Sequence, residues 1–270
     1  MSWKLLKDLI YFIPVGIPKK WTEIKEVDPQ KPTVILVSGF GALPSSLRII
    51  RKRLKKDGFN VVLQTLSFQE FFDSISGFVW VSEKLARLVD ELRECVGSEQ
   101  KIFVVAHSAG GLVARYYIQS LKGYHHVNGL VTLATPHRGV WVASLGFLTH
   151  LVIKAKCLYD VLPVSSFVKN LNRAQFPSSM DLLSLYSTDD VLCPPKTAQL
   201  PPQIYLNDKV KQTQLERISH MEFLFKKQPY QLVRDWLNTQ LGVRKLTDDV
   251  FSPIHSQHIA SHPSGFRKNK

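Results

Sequence analysis

The chain has 270 residues, 44% of them hydrophobic, and 35 Lys and Arg against 22 Asp and Glu give a formal net charge of +13. That composition excludes a disordered chain, because there is ample apolar surface to offset the entropy of ordering. No run of about eighteen uncharged apolar residues offers a membrane-spanning helix.

Residues 1–30 read as an N-terminal amphipathic segment. Trp3, Leu5, Leu6, Leu9, Ile10, Phe12 and Ile13 form an apolar stripe broken by Lys4, Lys7 and Asp8. Pro14 and Pro18 stop any helix there, and Lys19 and Lys20 stand where small residues would mark a signal-peptide cleavage site. A helix packed on the domain or lying at a membrane interface fits the pattern.

Residues 31–242 read as one domain in which strands and helices alternate. Thr33–Val37 is a short, β-branched, fully apolar run, hence a buried strand. Gly39 and Gly41 break it, and a helix follows with Leu47, Ile50 and Leu54 on one face, closed by Asp57-Gly58. The same helix carries a basic block, residues 48–56, with Arg48, Arg51, Lys52, Arg53, Lys55 and Lys56. A solvated cationic face is the plain reading; an anionic membrane comes second and nucleic acid last. Phe59–Leu63 is the next strand. Val81, Leu85, Leu88 and Leu92 recur at helical spacing up to Gly97. Lys101–Ala106 is a third strand, Ala109 to Ser120 a helix, and Val127–Leu133 a fourth strand. From Val140 to Val168 the chain is apolar without a clean strand. Leu182–Tyr186 and Gln203–Leu206 are the remaining strand candidates, and Tyr230–Leu237 is a last helix. This order predicts an α/β fold, a mostly parallel central sheet with helices on both faces. Residues 243–270, rich in Ser, His, Pro and Lys, read as a basic flexible tail. Cys95, Cys157 and Cys193 lie far apart with no Cys-x-x-Cys pair, which argues against disulfides and fits a reducing compartment.

The chemistry concentrates at the end of the third strand, where an apolar run enters Ala106-His107-Ser108-Ala109-Gly110 and a helix begins at once. A serine on such a sharp turn needs small residues two before and two after it, because strand and helix backbones pass close together. Ala106 and Gly110 meet that need. The helix N-terminus then offers free N–H groups to a developing negative charge.

On these residues the chain resembles the α/β-hydrolases, and within them the lipase and esterase group. The Gly-x-Ser-x-Gly elbow appears with Ala106 in its first place. Thr135-Pro136-His137-Arg138-Gly139 is similar to the Thr-Pro-His-x-Gly stretch of many lipase-like hydrolases. The resemblance implies an apolar cap inserted after the strand ending near Leu133, at about residues 140–180. It also implies a triad in the chain order serine, acid, histidine: Ser108 as nucleophile, Asp189 as acid with adjacent Asp190 as the alternative, and His220 as base. The oxyanion hole would use the backbone N–H groups of Phe40 and Ala109. Ser38-Gly39 stands where many lipases have His-Gly, which backbone donation does not require. The expected activity is hydrolysis of carboxylic esters, lipid esters (acylglycerol or phospholipid) foremost, through an acyl-enzyme. An acyltransferase or thioesterase on the same triad and a non-catalytic binding protein are the rivals. No metal or organic cofactor is expected; His255, His258 and His262 have a suggestive spacing but no carboxylate or cysteine beside them. The expected partners are a small-molecule or lipid ester and, peripherally, an anionic membrane, with no nucleic acid, in a cytoplasmic setting.

Overall fold

The computed structural model describes residues 24–39, 44–64, 77–141, 156–205 and 207–243. The N-terminal stripe up to Ile13, Phe40, most of the apolar stretch after Trp141 and the tail beyond Val243 lie outside the described residues.

Six strands make one sheet: β1 (Thr33–Val37), β2 (Asn60–Gln64), β3 (Ile102–His107), β4 (Gly129–Leu133), β5 (Asp181–Ser187) and β6 (Val210–Leu215). Their order is β2-β1-β3-β4-β5-β6, and every pairing is parallel. Parallel strands need long crossovers. Those described are α1 (Arg48–Lys56), α2 (Gly77–Val96) and α3 (Gly110–Ser120), then α4 (Lys156–Asp160) and α5 (Ser166–Arg173) between β4 and β5. The short turns α6 (Pro195–Ala198) and α7 (Pro202–Tyr205) precede β6, and α8 (Lys227–Gln240) closes the described chain.

Side-chain alternation divides the strands between two cores. Ile35, Val37, Val104, Ala106, Leu130 and Leu182 face α2, α3 and α5. Val34, Leu36, Phe103, Val105, Val131 and Leu183 face α1 and α8. The central strands are buried on both sides, which is why they read as unbroken apolar runs.

One strand expectation is corrected. The strand expected at Gln203–Leu206 is not formed by its described part: Pro202–Tyr205 is a helical turn that buries Ile204, and Leu206 lies outside the described residues. Pro201-Pro202 suits a first helical turn better than a sheet ladder. The last strand is Val210–Leu215, with buried ends and half-buried polar residues between them. It lies at the sheet edge, so its sequence lacks the apolar run that marks the others. Among the described residues, no helix is long and apolar enough to cross a membrane.

Candidate active site

The sheet grows outward from β1 in two directions, with β2 on one side and β3 on the other. At such a switch point the loops after neighbouring strands diverge and leave a crevice at the strands' C-terminal ends. Val37 pairs with Ala106, so the loop starting at Ser38 and the turn at His107-Ser108 face each other across that crevice.

Ser108 has φ 54°, a left-handed conformation that costs a non-glycine residue roughly 1–2 kcal/mol. Its N–H donates to the Leu133 carbonyl at 2.9 Å, so β4 fixes the turn. Two glycines make the turn possible. A Cβ on Gly110 would lie 2.5 Å from the Ser38 carbonyl oxygen, and one on Gly39 would lie 2.6 Å from Ser108 Cβ and 3.2 Å from its Oγ. Any side chain at position 39 would therefore press on the serine.

His220 stands on the loop between β6 and the short turn Met221–Leu224. Its Nε2 lies 3.0 Å from Ser108 Oγ, and its Nδ1 lies 2.8 Å from Asp190 Oδ2. The tautomer with Nδ1–H donating to the carboxylate leaves Nε2 free to accept the serine proton. Burial opposes a charge on this ring, but the Asp190 carboxylate outweighs it, and the His220 pKa is raised well above 6.5.

The structure brings Asp190, not Asp189, to the histidine. Asp190 is buried, and its Oδ1 accepts from the N–H groups of Leu192 at 3.0 Å and Cys193 at 2.8 Å. These two bonds lock the turn and leave Oδ2 aimed at His220. Asp189 turns the other way. Its N–H donates to Ser187 Oγ at 3.1 Å, and its Oδ2 accepts from Arg217 N–H at 2.8 Å, holding a residue with φ 57°. Asp189 thus shapes the histidine loop from outside, where the sequence expectation made it the acid.

Ala109 is buried and leads into α3, where the N–H groups of Gly111 and Leu112 already donate to the Ser108 and Ala109 carbonyls at 3.0 Å each. Phe40 lies outside the described residues. His125 and His126 sit before β4, at the far end of the sheet from Ser108, and the tail histidines lie outside the described residues.

Two further side chains touch the site: His107, whose place on the elbow suggests a side chain pointing elsewhere, and Cys193. His107 Nε2–H donates to the His220 carbonyl at 3.0 Å, tying β3 to the histidine loop. Burial, and then the nearby His220, hold its pKa down to about 3. The Cys193 thiol contacts both His220 and Ser108, and burial pushes its pKa up. The signal for Cys193 was its place three residues after Asp190, on the turn that the carboxylate caps.

His137 lies apart from this cluster. Its Nε2 meets Thr132 Oγ1 at 3.1 Å and Ser184 Oγ at 3.2 Å, and its Nδ1 meets Arg115 Nη1 at 3.3 Å. Arg115 is fully buried among Asn172 Oδ1, Gln119 Oε1 and the Leu171 carbonyl. The Thr-Pro-His-x-Gly stretch therefore bolts β4 and β5 to α3.

Solved structures similar to this chain include lipases and an α/β-hydrolase enzyme. A Bacillus licheniformis lipase, BlEst2 in mature form, gives a TM-score of 0.61 at 17% identity, covering 80% of this chain and 96% of that one. MGS-MChE2, an α/β-hydrolase enzyme from the metagenome of lagoon sediments, gives 0.61 at 13% identity, covering 78% and 92%. A Paleococcus ferrophilus monoacylglycerol lipase gives 0.54 at 14% identity, covering 78% and 96%. At these identities the likeness is one of fold, and the chain has the α/β-hydrolase fold. Residues 29–163 match the family described as "Putative serine esterase (DUF676)", and the chain belongs to that family. No curated protein matches the chain in sequence.

Proposed function

We propose that the protein hydrolyses carboxylic esters, with lipid esters as the natural class, through a Ser108–His220–Asp190 triad. The observation that carries this reading is the relay of 3.0 and 2.8 Å from Ser108 Oγ through the imidazole to the buried carboxylate. Ser108 Oγ attacks the ester carbonyl carbon as His220 Nε2 takes its proton. Asp190 stabilises the imidazolium and holds its tautomer. Ala109 N–H, with Phe40 N–H as second donor, stabilises the tetrahedral oxyanion. The imidazolium gives its proton to the departing alcohol. Water, deprotonated by His220, then attacks the acyl carbonyl, and Ser108 is regenerated.

Two features favour lipid esters. Trp141, Tyr159 and Val164, on the segment after β4, are each more than half exposed. Tyr159, Leu162 and Val164 line an open cleft of about 470 Å³. Large exposed apolar side chains suit an acyl or lipid surface. α1 adds a stripe of exposed Arg48, Lys52, Lys55 and Lys56 beside exposed Ile49, which suits peripheral contact with an anionic membrane.

An aryl-ester panel graded by acyl length, run with fluorophosphonate labelling, tests the reading. The expected result is Ser108-dependent turnover that favours longer acyl chains. A folded protein that neither turns over esters nor takes label at Ser108 is a binding module. Preferential transfer to added alcohols, or preference for thioesters, would make it an acyltransferase or a thioesterase. Binding to phosphatidylserine vesicles that fades with salt, beside none to phosphatidylcholine, tests the membrane contact.

A further inference from the structure

We propose that Asp190, Cys193 and His220 form a binding site for a borderline-soft divalent cation, zinc foremost, and that an ion bound there switches the enzyme off. One ligand atom from each residue lies within 4.8 Å of the others, and all three residues are buried. The three come from two short pieces of chain. Asp190 and Cys193 share a turn closed by the Cys193 N–H to Asp190 Oδ1 bond of 2.8 Å. His220 is held against them by Asp190 Oδ2 at 2.8 Å.

The donor set suits zinc. Zinc takes thiolate at about 2.3 Å, imidazole nitrogen at about 2.0–2.1 Å and carboxylate oxygen at about 2.0–2.2 Å, in a tetrahedron. Those radii set neighbouring donors roughly 3.3–3.6 Å apart. To admit the ion, the Asp190 Oδ2–His220 Nδ1 pair at 2.8 Å opens by about half an ångström, while the wider separations, within 4.8 Å, close; a water can fill the fourth position. A thiolate beside an imidazole selects zinc over magnesium or calcium, which prefer all-oxygen shells. On binding, the Cys193 thiol gives its proton to solvent, His220 Nδ1 gives up its proton and the ring keeps or takes one at Nε2, and the Zn–S and Zn–N bonds form with no change in oxidation state.

Inhibition follows from where the imidazole's two nitrogens already point. Nε2 serves Ser108 and Nδ1 serves Asp190, so an ion on either nitrogen breaks the relay. Binding of the ion does not depend on the esterase reading; its effect on turnover does.

The test uses Co²⁺ as a spectroscopic stand-in for zinc, with the full chain. One equivalent should produce a near-ultraviolet thiolate-to-cobalt band that Zn²⁺ abolishes. Cys193→Ser and His220→Gln should each lose the band, while Cys95→Ser keeps it. Circular dichroism selects folded variants, and either of the two suffices. Zn²⁺ should inhibit aryl-ester hydrolysis reversibly, with chelator restoring it. Against each protein's own metal-free rate, half-inhibition of Cys193→Ser should need at least tenfold more zinc. No band in the wild type, a band that survives Cys193→Ser, or equal zinc sensitivity of the two proteins overturns the proposal. A Cys193-dependent band in a protein that hydrolyses no ester keeps the ion site and removes the esterase reading. Ester turnover without a band does the reverse.

Discussion

Two buried histidines meet opposite fates in this molecule. His220 and His137 are both withdrawn from solvent, and both have partners at each ring nitrogen. His220 faces the Asp190 carboxylate, and despite burial its pKa is raised well above 6.5. His137 has no carboxylate beside it among the described residues. Burial, then Arg115 and Arg138, push its pKa well below 6.5. One ring is therefore ready to carry a proton in a transition state, and the other stays neutral as a structural peg. Burial alone does not decide whether a histidine can hold a charge; the sign of the neighbouring charge does.

The largest expected effect breaks the first cluster outright. Ser108→Ala should lower ester turnover at least about 10⁴-fold while thermal unfolding stays cooperative. Next, Asp190→Asn should cost about 10²–10⁴-fold in kcat, because the tautomer and the imidazolium lose their support. Asp189→Asn should stay within a few-fold of wild type. Equal losses in the two asparagine variants would undo the distinction between these neighbours. In the second cluster, His137→Leu leaves Arg115, Thr132 and Ser184 short of a buried partner. It should destabilise the fold by about 3 kcal/mol, read by urea denaturation, with turnover of the folded fraction preserved. The smallest effect is a slope. His137, and His107 with its pKa of about 3, stay neutral in the native state as pH falls below 6.5, whereas the unfolded chain takes up protons. Stability should therefore decline on acidification from pH 6.5, by about 1.4 kcal/mol per pH unit for each histidine. His137→Leu should flatten that decline by one proton's worth.

The same contrast explains what was legible in the sequence. The strands β1, β3 and β4 are buried on both faces and announce themselves as apolar runs. Ser108 is legible because its turn admits only small flanking residues, here Ala106 and Gly110. His220 stands just before the short buried turn Met221–Leu224, and its neighbourhood was readable too. The choice between Asp189 and Asp190 was not. Two consecutive acids in a loop point to opposite sides, and which side faces the histidine depends on hydrogen bonds from Leu192, Cys193 and Arg217. The bonds from Leu192 and Cys193 are local, but the one from Arg217 spans 28 positions, and the side on which His220 stands is set by tertiary placement, not by local pattern. β6 escaped notice for a related reason: an edge strand with half-buried polar residues carries no apolar signature. The contact between the Cys193 thiol and the Ser108 hydroxyl joins residues from two different loops, and no spacing rule reveals it.

The hydrogen bond between Ser108 and His220 joins residues 112 positions apart. During synthesis, the ribosome releases Ser108, the proposed nucleophile, long before His220 exists. On the proposed mechanism, a nascent chain carrying only the first four strands lacks its base, however well its turn is formed. If the proposed triad works, turnover reports finished folding, and a refolding assay should recover activity only after β6 docks and α8 seals the sheet behind it.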